Sequence, residues 1–295
     1  MKLYAVFGNP IAHSKSPYLH NFAFERLGID ARYVRFKLEN ASNFRELFFE
    51  MGLSGANITI PFKEILLESC DEVVGIAQKI GAINTIIRRG NRLLGHNTDA
   101  LGFYQNVKGD KLKTALIIGA GGSARAIAVI LQERGIKVSV INRTEKRLEF
   151  FKKMGFECAE FGEFYGRFAC KSRANRGNFV ANRNHLSANR SANPQYDLII
   201  NATSSSINDE LPLDSAVLGE LFSGAKIAFD LMYGKKCPFL ELAKTRGGGK
   251  SGGKKRAIRT IDGANMLLYQ AIYASSLFLD KPYHTIAKAM SPAFK

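Results

Sequence analysis

The chain has 295 residues, 46% hydrophobic and 23% charged, with four cysteines and a formal net charge of +16. This length and apolar content supply one large or two ordinary domains and exclude both a disordered chain and a small disulfide-held scaffold. No apolar run approaches the length of a membrane span, the N-terminal run 3–7 is too short for a secretory signal, and Cys70, Cys158, Cys170 and Cys237 are scattered, so a reduced, cytoplasmic protein with neither a metal site nor a membrane role is expected.

Short apolar or β-branched runs at 3–7, 33–36, 57–60, 83–87, 115–118, 138–141, 198–200 and 227–229 read as strands, most followed by turn residues and a segment of helical period. Strands alternating with helices predict an α/β fold with parallel sheets and helices on their faces. The polar, glycine-containing stretch 109–113 marks a boundary. It gives a first domain over 1–108 and a second over 112–262, with the C-terminal helices over 263–295 packing back on the first.

In the first domain, Ser14 and Ser16 frame Lys15 ahead of Pro17, and Ser16 reads as the cap of the helix that the proline opens. The segment Asn57-Ile58-Thr59-Ile60-Pro61-Phe62-Lys63 reads as a strand running into a helix with Pro61 in its first turn. Lys63 then stands where the helix dipole disfavours a cation, which eases deprotonation and makes it a candidate for chemistry; an exposed surface lysine is the alternative. Asn84 is an amide inside an apolar run and needs a hydrogen-bond partner if buried. Asp99, in Gly95-His96-Asn97-Thr98-Asp99-Ala100, reads by spacing alone as a helix cap.

The second domain opens on a strand that runs into Gly119, Ala120, Gly121, Gly122, Ser123, Ala124 and Arg125, followed by the apolar segment 126–131. This is a G-x-G-x-x-A form of the dinucleotide fingerprint in its strand–turn–helix setting. Gly119 permits the tight turn, Gly121 lets a pyrophosphate approach backbone, Ala124 allows close helix packing, and free N–H groups at the helix start receive phosphate. After the next strand come Asn142, Arg143 and Thr144 instead of the acid that accepts ribose hydroxyls in NAD sites; the arginine suits a 2′-phosphate and favours NADP. Thr203 follows the strand 198–200, and Met232 and Tyr233 follow the strand ending near Asp230, both beyond carboxyl ends where open parallel sheets bind ligands. Gln270 shares a helical stripe with Met266, Tyr273 and Leu277. Six basic residues over 167–194 and seven over 244–259, with no acid in either, carry most of the excess charge. Lacking apolar periodicity, both stretches read as solvated loop insertions rather than a nucleic-acid surface.

Taken in order, Gly8-Asn9-Pro10-Ile11-Ala12-His13-Ser14-Lys15-Ser16-Pro17, the segment 57–63, Gly81-Ala82-Ile83-Asn84-Thr85, Asn97-Thr98-Asp99-Ala100-Leu101-Gly102, the glycine turn with Arg125, Asn142-Arg143-Thr144, and Asp262-Gly263 with Met266 and Gln270 resemble the shikimate dehydrogenase family along the whole chain. The resemblance implies an N-terminal α/β substrate domain, a C-terminal Rossmann-type NADP domain, and reversible reduction of 3-dehydroshikimate to shikimate on the route to chorismate and the aromatic amino acids. It makes Lys63 and Asp99 the catalytic pair. It gives Ser14 and Ser16 to the substrate carboxylate, Thr59, Asn84 and Gln270 to its hydroxyls, and Tyr233 to the same end. The cofactor falls to Gly119 through Arg125, Asn142 through Thr144, Thr203, Met232 and Gly263. Gly234-Lys235-Lys236-Cys237-Pro238 departs from the family, which usually has a proline two residues after the tyrosine and a threonine before the later proline. The partners expected are these small molecules, for a monomer or homodimer. Two rival readings are a quinate/shikimate dehydrogenase accepting NAD or NADP, and a non-catalytic regulatory or nucleic-acid-binding relative that uses the basic loops.

Overall fold

The computed structural model describes residues 1–166, 195–234, 236–246, 250–251, 254–255 and 257–294. The stretch 167–194 and Cys170 therefore lie outside the described residues, as does part of 244–259. The described chain packs as two compact units. One comprises Met1–Asp110, Gly122–Glu133 and Ala264–Lys295, the other Lys111–Gly121 and Arg134–Gly263. The helix after the glycine turn thus groups with the first unit, although its chain position falls within 112–262.

The first unit holds strands β1 (Lys2–Gly8), β2 (Ala31–Lys37), β3 (Leu53–Ile58), β4 (Glu72–Val73), β5 (Thr85–Arg89) and β6 (Arg92–His96) in one sheet of order β2-β1-β3-β5-β6-β4. It is mixed, not parallel as the alternation predicts: β2, β1 and β3 are parallel, but β5 is antiparallel to both β3 and β6. Only Gly90 and Asn91 separate β5 from β6, too few residues for a parallel crossover. The helices are α1 (Ser16–Arg26), α2 (Phe44–Glu50), α3 (Ile76–Ile80), α4 (Asp99–Val107), α5 (Gly122–Glu133) and, at the C-terminus, α10 (Ala264–Leu279) and α11 (Tyr283–Met290). Alternate residues of β1 serve opposite faces, as strand geometry requires. Tyr4 and Val6 pack with Phe24 of α1 and with Ala274 and Phe278 of α10, whereas Ala5 and Phe7 pack with Phe44 and Phe48 of α2.

The second unit holds β7 (Thr114–Ile118), β8 (Lys137–Asn142), β9 (Glu157–Glu160), β10 (Leu198–Asn201), β11 (Ile227–Asp230) and β14 (Arg259–Ile261) in an all-parallel sheet of order β14-β11-β10-β7-β8-β9. Numbered within the unit this is 3-2-1-4-5-6 read from β9, the doubly wound dinucleotide-binding order, with its switch point between β7 and β10. Leu116, Ile118, Ile199 and Ala228 of this sheet pack against α7 (Phe161–Gly166), α8 (Ser215–Gly224) and α9 (Pro238–Arg246) through Phe164, Phe222 and Phe239; α6 (Glu149–Lys153) precedes β9. Two-residue strands β12 (Lys250–Ser251) and β13 (Lys254–Lys255) form an antiparallel pair inside the second basic stretch. Among the described residues no helix is long and apolar enough to cross a membrane.

Candidate active site

Strand direction gathers the candidate residues of the first unit at one end of its sheet. Thr59 and Lys63 follow the end of β3. Because β5 runs the other way, Asn84, one residue before its start, arrives at the same end, and β6, reversed again, leads to Asp99. Gln270 comes from α10, which crosses α4 closely because residue 102 is glycine: a side-chain carbon there would stand 2.7 Å from the Gln270 backbone nitrogen.

Lys63 does not occupy the first turn of an α-helix. Residues 61–64 form a turn, and the helical turn that follows, Ile65–Ser69, is a 3-10 helix, so the dipole argument for its amine falls away. What fixes the amine is Asp99: Nζ donates to Oδ2 at 2.5 Å, the two side chains being only 11% and 8% exposed. Asp99 is the first residue of α4, not its cap, a place Thr98 takes. The positive end of the helix favours a carboxylate there. A buried ion pair of this kind persists when its remaining hydrogen-bonding capacity is met, and here Oδ1 accepts from Asn84 Nδ2 at 2.8 Å.

Asn84 answers the demand its position sets. It is buried, its Nδ2 also donates to Thr98 Oγ1 at 2.9 Å and reaches Gln270 Oε1 at 3.4 Å, and its Oδ1 accepts from the Thr98 amide at 2.7 Å and from Thr85 Oγ1 at 2.9 Å. Asn57, Thr85 and Thr98, to which the motifs assign no role of their own, belong to this network. Tyr33 donates its hydroxyl to Asn57 Oδ1 at 2.6 Å, and Asn57 Nδ2 donates to the Asn84 carbonyl and to Thr85 Oγ1, each at 3.0 Å. For Asn57 and Thr85 the available signal is the same as for Asn84, a polar side chain set in an apolar run, whereas Thr98 stands in the polar run 95–100 and carries no such signal. Burial raises the Tyr33 hydroxyl well above its ordinary range, with the Ser16 hydrogen bond working the other way. Ser16 is the first residue of α1 and Lys15 holds the cap position, a correction to the capping reading; the Ser16 amide donates to Ser14 Oγ at 3.3 Å.

In the second unit, Gly119 has φ +108°, and its amide donates to the Ile141 carbonyl at 2.8 Å. A side-chain carbon there would lie 3.0 Å from Ala202 and Thr203, so the tight turn requires glycine on two counts. At Gly121 the same construction meets no atom within 4 Å, which leaves open space before the turn, and the first turn of α5 holds no acid. At the end of β8, Arg143 and Thr144 are exposed and Asn142 Nδ2 donates to the Thr144 carbonyl at 3.0 Å. The first carboxylate beyond them, Glu145, is turned onto Lys152 at 2.8 Å. Open backbone at the turn and an acid-free, arginine-bearing strand end fit a dinucleotide carrying a 2′-phosphate. Thr203 Oγ1 donates to Asn201 Oδ1 at 2.7 Å, the Met232 amide donates to Asp230 Oδ1 at 2.8 Å, and Gly263 lies where any side chain would collide with the Leu231 carbonyl. Tyr233 is half-buried in this unit and burial raises its hydroxyl. In the altered loop after it, the Cys237 thiol donates to Asp230 Oδ2 at 3.1 Å.

Two residues of the expected cofactor set point their side chains elsewhere. Ser123 Oγ accepts from Lys63 Nζ at 3.0 Å, and the Arg125 guanidinium pairs with Glu64 at 2.7 Å.

Comparison with known proteins agrees with this geometry. The model of the shikimate dehydrogenase substrate-binding domain matches residues 6–86. A shikimate dehydrogenase (NADP(+)) of Helicobacter hepaticus is 45% identical over 283 residues, covering 95% of this chain and 92% of that protein, and one of Helicobacter pylori is 39% identical over 300 residues, covering 100% and 99%. Among solved structures, the shikimate 5-dehydrogenase of Thermus thermophilus in complex with NADP(H) and shikimate superposes with a TM-score of 0.75 at 30% identity, covering 99% of this chain and 100% of that one. With relatives this similar along their full length, a doubly wound dinucleotide sheet and a buried Lys63–Asp99 pair, the chain belongs to the shikimate dehydrogenase family.

Proposed function

We propose that the protein catalyses the reversible, NADP-dependent reduction of 3-dehydroshikimate to shikimate. The observation that carries this reading is the buried Lys63–Asp99 pair, held by Asn84 at one end of the first sheet in a chain that elsewhere builds a glycine turn open to a dinucleotide. When bound, NADPH supplies the hydride that reduces the ring ketone. The chain's own residues handle the proton and the orientation. As the ketone oxygen becomes a hydroxyl, Lys63 supplies its proton, and Asp99 accepts a hydrogen bond from the amine and keeps it aimed. Ser14 and Ser16 take the substrate carboxylate and Thr59, Asn84 and Gln270 its hydroxyls, and Tyr233 is a further substrate-binding residue. Gly119 through Ala124 offer backbone to the pyrophosphate, Arg143 with Asn142 and Thr144 takes the 2′-phosphate, and Thr203, Met232 and Gly263 complete the cofactor site. The same reading makes it a cytoplasmic enzyme whose partners are two small molecules, and gives the basic stretches no part in the reaction.

The test is absorbance of the reduced nicotinamide with shikimate and with quinate, each offered NADP and NAD. Signal for shikimate with NADP alone is the expected result. Comparable signal with quinate or NAD replaces this reading with the broader quinate/shikimate dehydrogenase.

A further inference from the structure

The first turn of α5 does more at Lys63 than a phosphate-binding turn needs to. Its residues meet the lysine at three levels. Gly122 faces the aliphatic stem, since a side-chain carbon built there would stand 3.4 Å from Lys63 Cβ and 3.5 Å from Cδ. Ser123 meets the amine, its Oγ accepting from Nζ at 3.0 Å and lying 3.5 Å from Asp99 Oδ2, to which its hydroxyl is directed. Arg125 pairs with Glu64, the next residue in the lysine's own turn, at 2.7 Å, and reaches the Gly81 carbonyl at 3.5 Å.

An ammonium group has three N–H bonds and rotates freely about its stem unless they are engaged. Asp99 takes one and Ser123 a second, so the third is left with one direction, toward whatever oxygen stands before the pair. Proton delivery depends steeply on such aim. We infer that Ser123 is a positioning residue for Lys63: its hydroxyl, carried on the first turn of α5, fixes the direction of the amine's remaining N–H and so sets the proton donor. This rests on the assignment of Lys63 above.

The experiment compares Ser123→Ala, Ser123→Thr, Lys63→Ala and the double variant Lys63→Ala/Ser123→Ala as purified full chains, with kcat and KM measured for shikimate and for NADP and thermal unfolding recorded for each. Loss of one hydrogen bond to the amine is expected to lower kcat of Ser123→Ala by roughly three- to tenfold, with both KM values within about twofold of wild type. Ser123→Thr, which keeps the hydroxyl, is expected to restore most of kcat. In the Lys63→Ala background the serine change is expected to cost nothing further, because groups acting through one another are not additive. A Ser123→Ala enzyme with wild-type kcat, a loss confined to KM for NADP, or losses that multiply in the double variant would each overturn the inference while leaving Lys63 in its role. Full turnover by Lys63→Ala would instead overturn the assignment of Lys63 itself, whatever Ser123→Ala shows.

Discussion

His20 links a single buried ring to the acid stability of the first unit. The ring is stacked on Tyr33 with centroids 4.2 Å apart, its Nδ1 lies 2.7 Å from Ser275 Oγ, and its buried Nε2 meets no hydrogen-bonding atom among the described residues. Protonation would place a charged N–H at Nε2 with nothing to accept it, and burial holds the pKa down from 6.5 to about 3. In the unfolded chain the ring titrates at its ordinary value. Below pH 6.5 the unfolded state therefore binds a proton that the folded state refuses. Stability from this residue is complete above 6.5 and declines on acidification until the folded ring itself protonates near 3. Each pH unit in that window is worth about 1.4 kcal/mol, so acidification to about pH 5 removes about 2 kcal/mol, and the whole window about 4–5 kcal/mol. The assay is urea unfolding of wild type and His20→Gln at about pH 7, 6 and 5, with the difference between the two followed against pH, since that difference cancels every other titrating group. The neutral variant is expected to be the less stable at about pH 7 through lost ring packing and to gain on wild type by about 1.4 kcal/mol per pH unit below 6.5. A difference that stays constant across that range would refute the reasoning, because it would mean the ring titrates alike folded and unfolded.

Further predictions concern the cofactor strand end and the α4–α10 crossing. Arg143→Ala is expected to raise KM for NADP by roughly 10- to 100-fold, the value of a charge-assisted hydrogen bond to phosphate, and to leave the weak reaction with NAD unchanged; an equal effect on both cofactors would remove Arg143 from the 2′-phosphate. Gly102→Ala would set a carbon 2.7 Å from the Gln270 backbone nitrogen and 2.8 Å from its Cβ. Because rigid helix backbone must yield, a loss of about 1–3 kcal/mol is expected in thermal or urea unfolding, together with a lower kcat as Gln270 shifts against Asn84; an unchanged melting temperature would show that the crossing is looser than described. Asn84→Ala leaves Asp99 Oδ1 and the Thr98 amide without their partner. It is expected to cost about 1–3 kcal/mol of stability and to reduce kcat as well as substrate affinity, whereas a change in KM alone would limit Asn84 to substrate binding.

The local chemistry of the chain settled much of this beforehand. Strands 115–118, 138–141, 198–200 and 227–229 are apolar enough to be buried on both faces, which marks a parallel sheet, and a strand leading into Gly119-Ala-Gly-Gly matches the dinucleotide fingerprint. Gly119 was legible because the strand-to-helix fingerprint needs glycine at its tight turn, where φ is +108°, and Asn84 because a buried amide has to find partners. Tertiary structure decided what those local rules leave open. Sequence spacing made Ser16 and Asp99 helix caps and put Lys63 in an α-helical first turn, because local propensity weighs only neighbours in the chain. In the folded unit Asp99 stands inside α4, where its carboxylate meets an amine 36 residues away in sequence. The reversal of β5 and β6 is likewise not written in apolar periodicity, which is the same for either strand direction, yet that reversal is what brings Asn84 and Asp99 to the end where β3 delivers Lys63. Ser123 shows the same division: its motif assigns it to phosphate by position, and only the packing of α5 within the first unit turns its hydroxyl toward the lysine.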